Sequence, residues 1–199
     1  MPKSFTQMVE SSAGALLFTS SQDTIATFLG GPMMNYEGVC AALVMMWFAQ
    51  NTAKTDPAKG IINKAKALNL QNKMEAGWAG LATVETQAKV TVGQHFWYRS
   101  TTKHEYTSKK YGADLKLQFD PLNKRESMSI FVIYFPSGAA HAIGVWRFPT
   151  GAMALYDPNE GACAIGKDNF REFLNTFLTE LYDTTNGYAI CAFYSDPKP

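Results

Sequence analysis

Three short runs of β-forming residues lie between Ser127 and Asp157, and they constrain the fold more than any other feature of the sequence. The runs are SMSIFVIYF, AHAIGVWRF and AMALYD, and they are separated by segments that contain Pro-Ser-Gly and Pro-Thr-Gly. Short runs rich in β-branched and aromatic residues, bounded by Pro and Gly, predict strands joined by turns. We therefore predict an antiparallel meander in the second half of the chain.

Helices are predicted mainly before this meander. The run VCAALVMMWFAQNTA, from Val39 to about Ala53, is apolar on nearly all sides, which is typical of a helix enclosed by the rest of a domain. A second helical region is predicted over residues 57–88. A later helix, NFREFLNTFLTELYD, is predicted with Asp168 as its cap, and the run GYAICAFYS predicts a last strand. Helices first and sheet second indicate an α+β domain.

Length and charge limit the number of domains and the kinds of partner that the chain can have. The 199 residues, 46% of them hydrophobic, are enough for one globular domain with a sizeable core. Residues 1–34 are rich in Ser, Thr and Gly and predict an N-terminal arm, so the single domain is predicted over residues 35–199. A formal charge of +1 indicates neither nucleic acid nor an anionic membrane surface as a partner. No apolar stretch is long enough for a transmembrane segment, and the N-terminus lacks the layout of a secretory signal.

The three cysteines, Cys40, Cys163 and Cys191, are widely spaced and form no CxxC pair. This pattern indicates free thiols in a reduced compartment. Cys40 is predicted in the first turn of an apolar helix, where unpaired backbone amides favour a thiolate. An isolated helical cysteine is more often a buried core residue, so a partner base is needed. Cys163 is predicted to be a bystander and Cys191 a core residue of the last strand.

The partner base is predicted from the meander. His141 begins the second predicted strand and Asp157 closes the third, although each residue alone has an ordinary interpretation as a hydrogen-bonded His or a turn Asp. If the hairpin pivots at Thr150, His141 pairs opposite Asn159 and Ile143 opposite Asp157. The His and Asp side chains then lie on one face as diagonal neighbours, within reach of a hydrogen bond.

Cys40, His141 and Asp157 together supply a nucleophile, a base and a residue that orients the base, which thiol acyl transfer requires. The Cys40 backbone N–H and the Asn35 side-chain amide are the predicted donors to an oxyanion.

A metal or another cofactor is not predicted. His95 and His104 do not have zinc-ligand spacing with any cysteine, and the sequence contains no metal cluster or phosphate-binding glycine loop. Their segment, HFWYRSTTKHEY, is rich in aromatic residues and could line a substrate cleft.

Four short motifs resemble a known family. Asn35, GVCAAL with Cys40, HAIGV with His141 and LYDPNEG with Asp157 resemble the YopT/AvrPphB-type cysteine peptidases of bacterial effectors, a papain-like branch. The resemblance covers roughly residues 33–162. It implies a papain-like catalytic domain in which the catalytic Cys, at a helix N-terminus, packs on a C-terminal antiparallel sheet. It also implies a Cys40, His141 and Asp157 triad with Asn35 in the oxyanion hole.

The resemblance implies a cysteine protease, a thiol hydrolase acting as a virulence effector or toxin on a protein in a target cell. Such a protein would be made in the bacterial cytoplasm without a cleavable signal peptide and delivered by a specialised secretion system. Its partner would be a protein or peptide substrate, and whether an immunity protein or a secretion chaperone covers the cleft is left open.

Three alternatives keep the same triad: a papain-like amidase or endopeptidase that cuts peptidoglycan peptides, a Gln deamidase, and an acyltransferase. The hypothesis from a different class is a non-catalytic binding domain, with Cys40 in the core, His141 structural and Asp157 in a turn.

Overall fold

The computed structural model describes residues 3–20, 40–49, 54, 56, 98–106, 126–135, 140–182 and 187–195. The helices among these residues are α1 (Phe5–Ser11), α2 (Cys40–Ala49) and α3 (Lys167–Leu181). The strands are β1 (Ala15–Thr19), β2 (Tyr98–Tyr106), β3 (Ser127–Tyr134), β4 (Ala140–Arg147), β5 (Met153–Asp157), β6 (Gly161–Ile165) and β7 (Gly187–Ser195). The predicted helical region over residues 57–88 lies outside the described residues.

The strands of the described part of the chain form one antiparallel sheet in the order β1-β6-β5-β4-β3-β7-β2. The predicted meander is confirmed as β3, β4 and β5. The β4–β5 ladder runs from Gly144 opposite Tyr156 to Arg147 opposite Met153, which is the register predicted for a pivot at Thr150. Gly151 has a φ of 85°, and this left-handed conformation closes the turn between the two strands.

Two helical layers cover the sheet. Because successive strand residues point to opposite faces, neighbouring residues of β5 enter different cores. Tyr156 packs with α2 residues such as Trp47 on one face, whereas Leu155 packs with Phe173 of α3 and Phe5 of α1 on the other. The architecture is α+β, as predicted. Within the described residues, no helix is long and apolar enough to cross a membrane.

Residues 5–19 add an edge to this sheet. They contribute helix α1 and strand β1, and β1 pairs with β6. Gly161 begins β6 with a φ of 129°, and a Cβ there would lie 2.2 Å from the Phe18 carbonyl oxygen. The predicted arm therefore includes a helix and a strand that pack with the domain. The boundary predicted at residue 34 falls outside the described residues and stays a prediction.

The prediction that Asp168 caps α3 is wrong. The helix begins at Lys167, its N-cap is Gly166, and Gly166 has no side chain to cap the first turn. The reason is that β6 ends at Ile165 and Gly166 is the last extended residue, so the helix begins at Lys167, one residue before Asp168. Asp168 instead lies in the first turn, where its negative charge is favourable to the helix dipole.

Candidate active site

Cys40 opens helix α2 and is 5% exposed. The helix lies close against β4 because Gly144 has no side chain: a Cβ there would be 3.0 Å from Val44 Cγ1 and 3.1 Å from the Trp47 ring. Trp47 also packs edge-on against Trp146 of β4, with ring centroids 5.9 Å apart. The apolar run predicted as an enclosed helix thus packs closely on β4 through Val44 and Trp47.

The Cys40 sulfur contacts two consecutive residues of β4. The Ala142 backbone N–H donates to Cys40 Sγ at 3.4 Å. The Cys40 side chain also lies close enough to the His141 imidazole to help raise the pKa of His141. These contacts hold the Cys40 sulfur beside the His141 imidazole.

His141 connects Cys40 to Asp157. Its Nε2 lies 2.9 Å from Asp157 Oδ1, so Nδ1 is the nitrogen that remains for Cys40. Burial lowers the pKa of His141, but the Asp157 charge and hydrogen bond, with a smaller contribution from Cys40, raise the pKa from 6.5 to about 10. At neutral pH the His141 side chain is therefore protonated on both ring nitrogens and positively charged.

Asp157 is completely buried and accepts three hydrogen bonds. Oδ1 accepts from His141 Nε2 at 2.9 Å and from the Asn159 backbone N–H at 2.8 Å, and Oδ2 accepts from the Tyr182 hydroxyl at 2.5 Å. The bond to Asn159 is the ordinary contact of a turn Asp. The turn role and the site role that the sequence suggested for Asp157 are thus combined in one side chain.

Tyr182 is a residue of the site that sequence reasoning missed. It follows the last residue of α3, and its ring stacks on the His141 ring with centroids 5.4 Å apart and an interplanar angle of 20°. The segment TELYD carries no chemical motif, and 25 residues separate Tyr182 from Asp157. Helical spacing indicated only an apolar face for α3 and did not indicate what its end contacts.

The second described cysteine, Cys163, is buried like Cys40 but has different surroundings. Cys163 lies in β6 on the opposite face of the sheet, packed with α1 and α3. Burial raises the pKa of its thiol to about 12. Cys163 is therefore a core residue, whereas Cys40 is held against an imidazole. The side chain of Cys191, in β7, lies outside the described residues.

Three other candidate residues of the sequence stay predictions. Asn35 and His95 lie outside the described residues, and His104 is described only through its backbone, which pairs with Ile190. In the part of the chain that the structure describes, no group of three or more His, Cys, Asp or Glu side chains could hold a metal ion.

The architecture defines a class of protein. A helix that begins with a cysteine packs on an antiparallel sheet, and two neighbouring strands bring a histidine and a buried aspartate to it. This is the α+β fold of papain-like cysteine proteases, of the YopT/AvrPphB type, as the sequence motifs predict.

Comparison with the solved structure of one bacterial protein supports this fold. The chain is similar to the Pseudomonas avirulence protein AvrPphB, with a TM-score of 0.57 and 13% identity over 83% of this chain and 95% of that one. A further similarity is to PatoxP, a cysteine protease-like domain of the Photorhabdus asymbiotica toxin PaTox, with a TM-score of 0.47 and 12% identity over 93% of this chain and 57% of that one. At such identities the likeness concerns the fold alone. No family model and no curated protein matches the chain.

Proposed function

We propose that the protein is a cysteine protease in which Cys40 is the nucleophile, His141 the general base and Asp157 the residue that orients the base. The observation that carries this proposal is the arrangement of three buried side chains: Cys40 Sγ accepts a hydrogen bond from the backbone N–H of Ala142, the residue after His141, and the His141 imidazole is hydrogen-bonded to the completely buried Asp157 carboxylate. A buried carboxylate is costly unless it is paired, and here its pairing fixes an imidazole beside a thiol.

In the proposed mechanism, His141 takes the proton of Cys40 and the thiolate attacks the substrate carbonyl carbon. The carbonyl π electrons move to oxygen, and the Cys40 backbone N–H and Asn35 stabilise the resulting oxyanion. When the tetrahedral intermediate collapses, the C–N bond breaks and the His141 imidazolium gives its proton to the leaving amine. Water then attacks the thioester carbonyl carbon while His141 takes a water proton. The C–S bond breaks, the acid product leaves, and the Cys40 thiolate regains the proton from the His141 imidazolium.

The electrostatics of the site support the first step. With a pKa of about 10, His141 can hold the thiol proton throughout the neutral range. The resulting imidazolium faces a thiolate on one side and the Asp157 carboxylate on the other. Asp157 also restricts the imidazole to the orientation in which Nδ1 points to Cys40.

The biological role that we propose is that of a bacterial effector or toxin, delivered by a specialised secretion system, that cleaves a protein in a target cell. The support is the shared fold with AvrPphB, which is itself an avirulence protein of Pseudomonas. The same triad would also serve an amidase for peptidoglycan peptides, a deamidase or an acyltransferase. Products separate these activities: protease activity creates new protein N-termini, whereas wall hydrolysis releases muropeptides.

The proposal can be tested by labelling with iodoacetamide and with an E-64-type epoxide at neutral pH, followed by mass spectrometry of each cysteine. Fast labelling of Cys40 that is slowed in His141→Ala is expected. The matched control is Cys163→Ala, which removes the other buried thiol and should leave the labelling rate unchanged. Labelling of Cys40 in the folded protein at the rate of an ordinary exposed thiol, unaffected by His141→Ala, would overturn the proposal. Active protein is then incubated with target-cell lysate and with peptidoglycan to compare products.

A further inference from the structure

The position of Tyr182 is fixed from several sides. Its backbone N–H donates to the Leu178 carbonyl at 3.0 Å, which holds the residue at the end of α3. Its ring lies between the His141 ring and the aromatic rings of Phe177 and Phe135, at centroid distances of 5.4, 5.6 and 6.3 Å. The side chain is 7% exposed. Tyr182 therefore presents its hydroxyl to the site in one defined direction.

The hydroxyl of Tyr182 is a hydrogen-bond donor to Asp157. Burial, followed by the Asp157 charge, raises the pKa of Tyr182 well above its ordinary value, so the hydroxyl keeps its proton. It donates to Asp157 Oδ2 at 2.5 Å, whereas His141 and the Asn159 backbone N–H bind Oδ1. Each oxygen of the Asp157 carboxylate therefore has its own donor. Rotation of the carboxylate would break at least one of these hydrogen bonds, and hydrogen bonds to a charged group are among the stronger ones.

A purely structural aromatic residue would not need this hydroxyl. A Phe at position 182 would fill nearly the same space, and burying a hydroxyl costs free energy unless the hydroxyl is hydrogen-bonded. Here the hydroxyl reaches the one carboxylate that holds His141, and the ring of the same residue covers that imidazole. Both contacts act on the hydrogen bond between His141 and Asp157.

We propose that Tyr182 is a positioning residue of the site: its hydroxyl keeps the Asp157 carboxylate aimed at His141 Nε2, and its ring shields that hydrogen bond from water. This inference rests on the proposed function, because it concerns how the thiolate and imidazolium of Cys40 and His141 are maintained. Loss of the hydroxyl leaves a buried carboxylate oxygen without its donor, so the carboxylate can turn away from His141 Nε2 and then holds the imidazolium through a less well aligned hydrogen bond. The Cys40 thiolate that depends on the imidazolium then forms less readily.

The test is the pH dependence of Cys40 alkylation by iodoacetamide, a neutral reagent whose rate follows the thiolate fraction. Wild type is compared with Tyr182→Phe, which removes only the hydroxyl, and with His141→Ala. The matched control is Phe170→Leu, which replaces a buried aromatic ring near the start of α3, whereas Tyr182 follows the end of that helix. Glu160, a further charged group near His141 among the described residues, is unchanged in every variant. Thermal unfolding by circular dichroism establishes that each variant is folded at the assay temperature.

The expected result for Tyr182→Phe is a rise of about one pH unit in the midpoint of the alkylation profile, with a roughly tenfold slower rate at pH values below the wild-type midpoint. Tyr182→Leu, which also removes the ring, should give a larger rise. Phe170→Leu should lower the melting temperature without moving the midpoint. A midpoint moved by His141→Ala but not by Tyr182→Phe would overturn this inference and leave the proposed function intact. A midpoint that neither variant moves would overturn both.

Discussion

His141 Nε2 and Asp157 Oδ1 lie 2.9 Å apart on neighbouring strands, although 16 residues separate the two side chains in sequence. The β4–β5 register brings them together as diagonal neighbours. Asp157 is completely buried and His141 nearly so, which means that water competes little for their hydrogen bond. Since the pair is buried, each partner depends strongly on the other.

Replacing Asp157 with Asn is expected to slow reaction of Cys40 with an E-64-type probe by about 10²-fold or more, because a neutral amide no longer stabilises the imidazolium. The side chain keeps its size, so the fold should persist. The measurement is the second-order rate of inactivation at pH 7. The matched control is Glu160→Gln, which removes a nearby half-buried carboxylate that has no hydrogen bond to His141 in the described structure and should change the rate only about threefold. Equal losses in the two variants would contradict a specific role for Asp157.

The stability of the protein should depend on pH through His141. Its pKa is 6.5 in the unfolded chain and about 10 in the folded protein, so the folded state binds the proton more tightly. The resulting contribution to the free energy of unfolding is fully present below pH 6.5, falls as the pH rises above that value and is lost beyond pH 10. Urea unfolding of wild type and His141→Gln between pH 6 and 10.5 measures it.

The difference in unfolding free energy between wild type and His141→Gln should shrink by at least about 1.4 kcal/mol across this range, the equivalent of one pKa unit. Other titrating groups are shared by both proteins and largely cancel in the difference. A difference that stays constant with pH would show that folding does not raise the pKa of His141.

The sequence was informative where the conformation of the chain is decided locally. The Pro-Thr-Gly turn predicts the β4–β5 register, and this register alone is enough to place His141 and Asp157 on one face of the sheet. The all-round apolar run correctly predicted the enclosed helix that starts at Cys40. Turn chemistry and hydrophobic periodicity act over a few residues, so both can be interpreted from the chain alone.

Contacts between distant segments could not be predicted in this way. Strand β6, GACAI, is short, made mainly of small residues and almost wholly buried, so it lacks the alternation that identifies a half-exposed strand. The pairing of β1 with β6 and the insertion of β7 between β3 and β2 depend on tertiary packing. Tyr182 was missed for the same reason, since its role appears only when the end of α3 meets Asp157.

The two described cysteines should react very differently in the native protein. At pH 8, a disulfide reagent such as DTNB is expected to modify Cys40 rapidly and Cys163 only after unfolding, because burial raises the pKa of Cys163 to about 12. Mass spectrometry of peptides from native and urea-unfolded protein assigns each reaction to its residue. Cys40→Ala serves as the control that leaves the Cys163 environment on the other face of the sheet unchanged. Rapid native labelling of Cys163 in that control would be evidence against the packing described for β6.

The substitution Gly144→Ala should impair the site although Cys40, His141 and Asp157 themselves are unchanged. The added methyl would lie 3.0 Å from Val44 Cγ1 and 3.1 Å from the Trp47 ring, so α2 must shift by a few tenths of an ångström away from β4. Overpacking of this kind costs about 1–3 kcal/mol of unfolding free energy.

Because α2 also carries Cys40, we expect alkylation of Cys40 in Gly144→Ala to slow by about tenfold, less than the roughly 10²-fold that a full 1 Å displacement can cost. The control is Gly166→Ser, at a position where a Cβ meets nothing within 4 Å and a side-chain N-cap for α3 is missing. It should raise the unfolding free energy by about 0.5–1 kcal/mol and leave alkylation unchanged. If Gly144→Ala lowered stability but left the alkylation rate at its wild-type value, the close approach of α2 to β4 would be a packing feature and not a means of positioning the thiol.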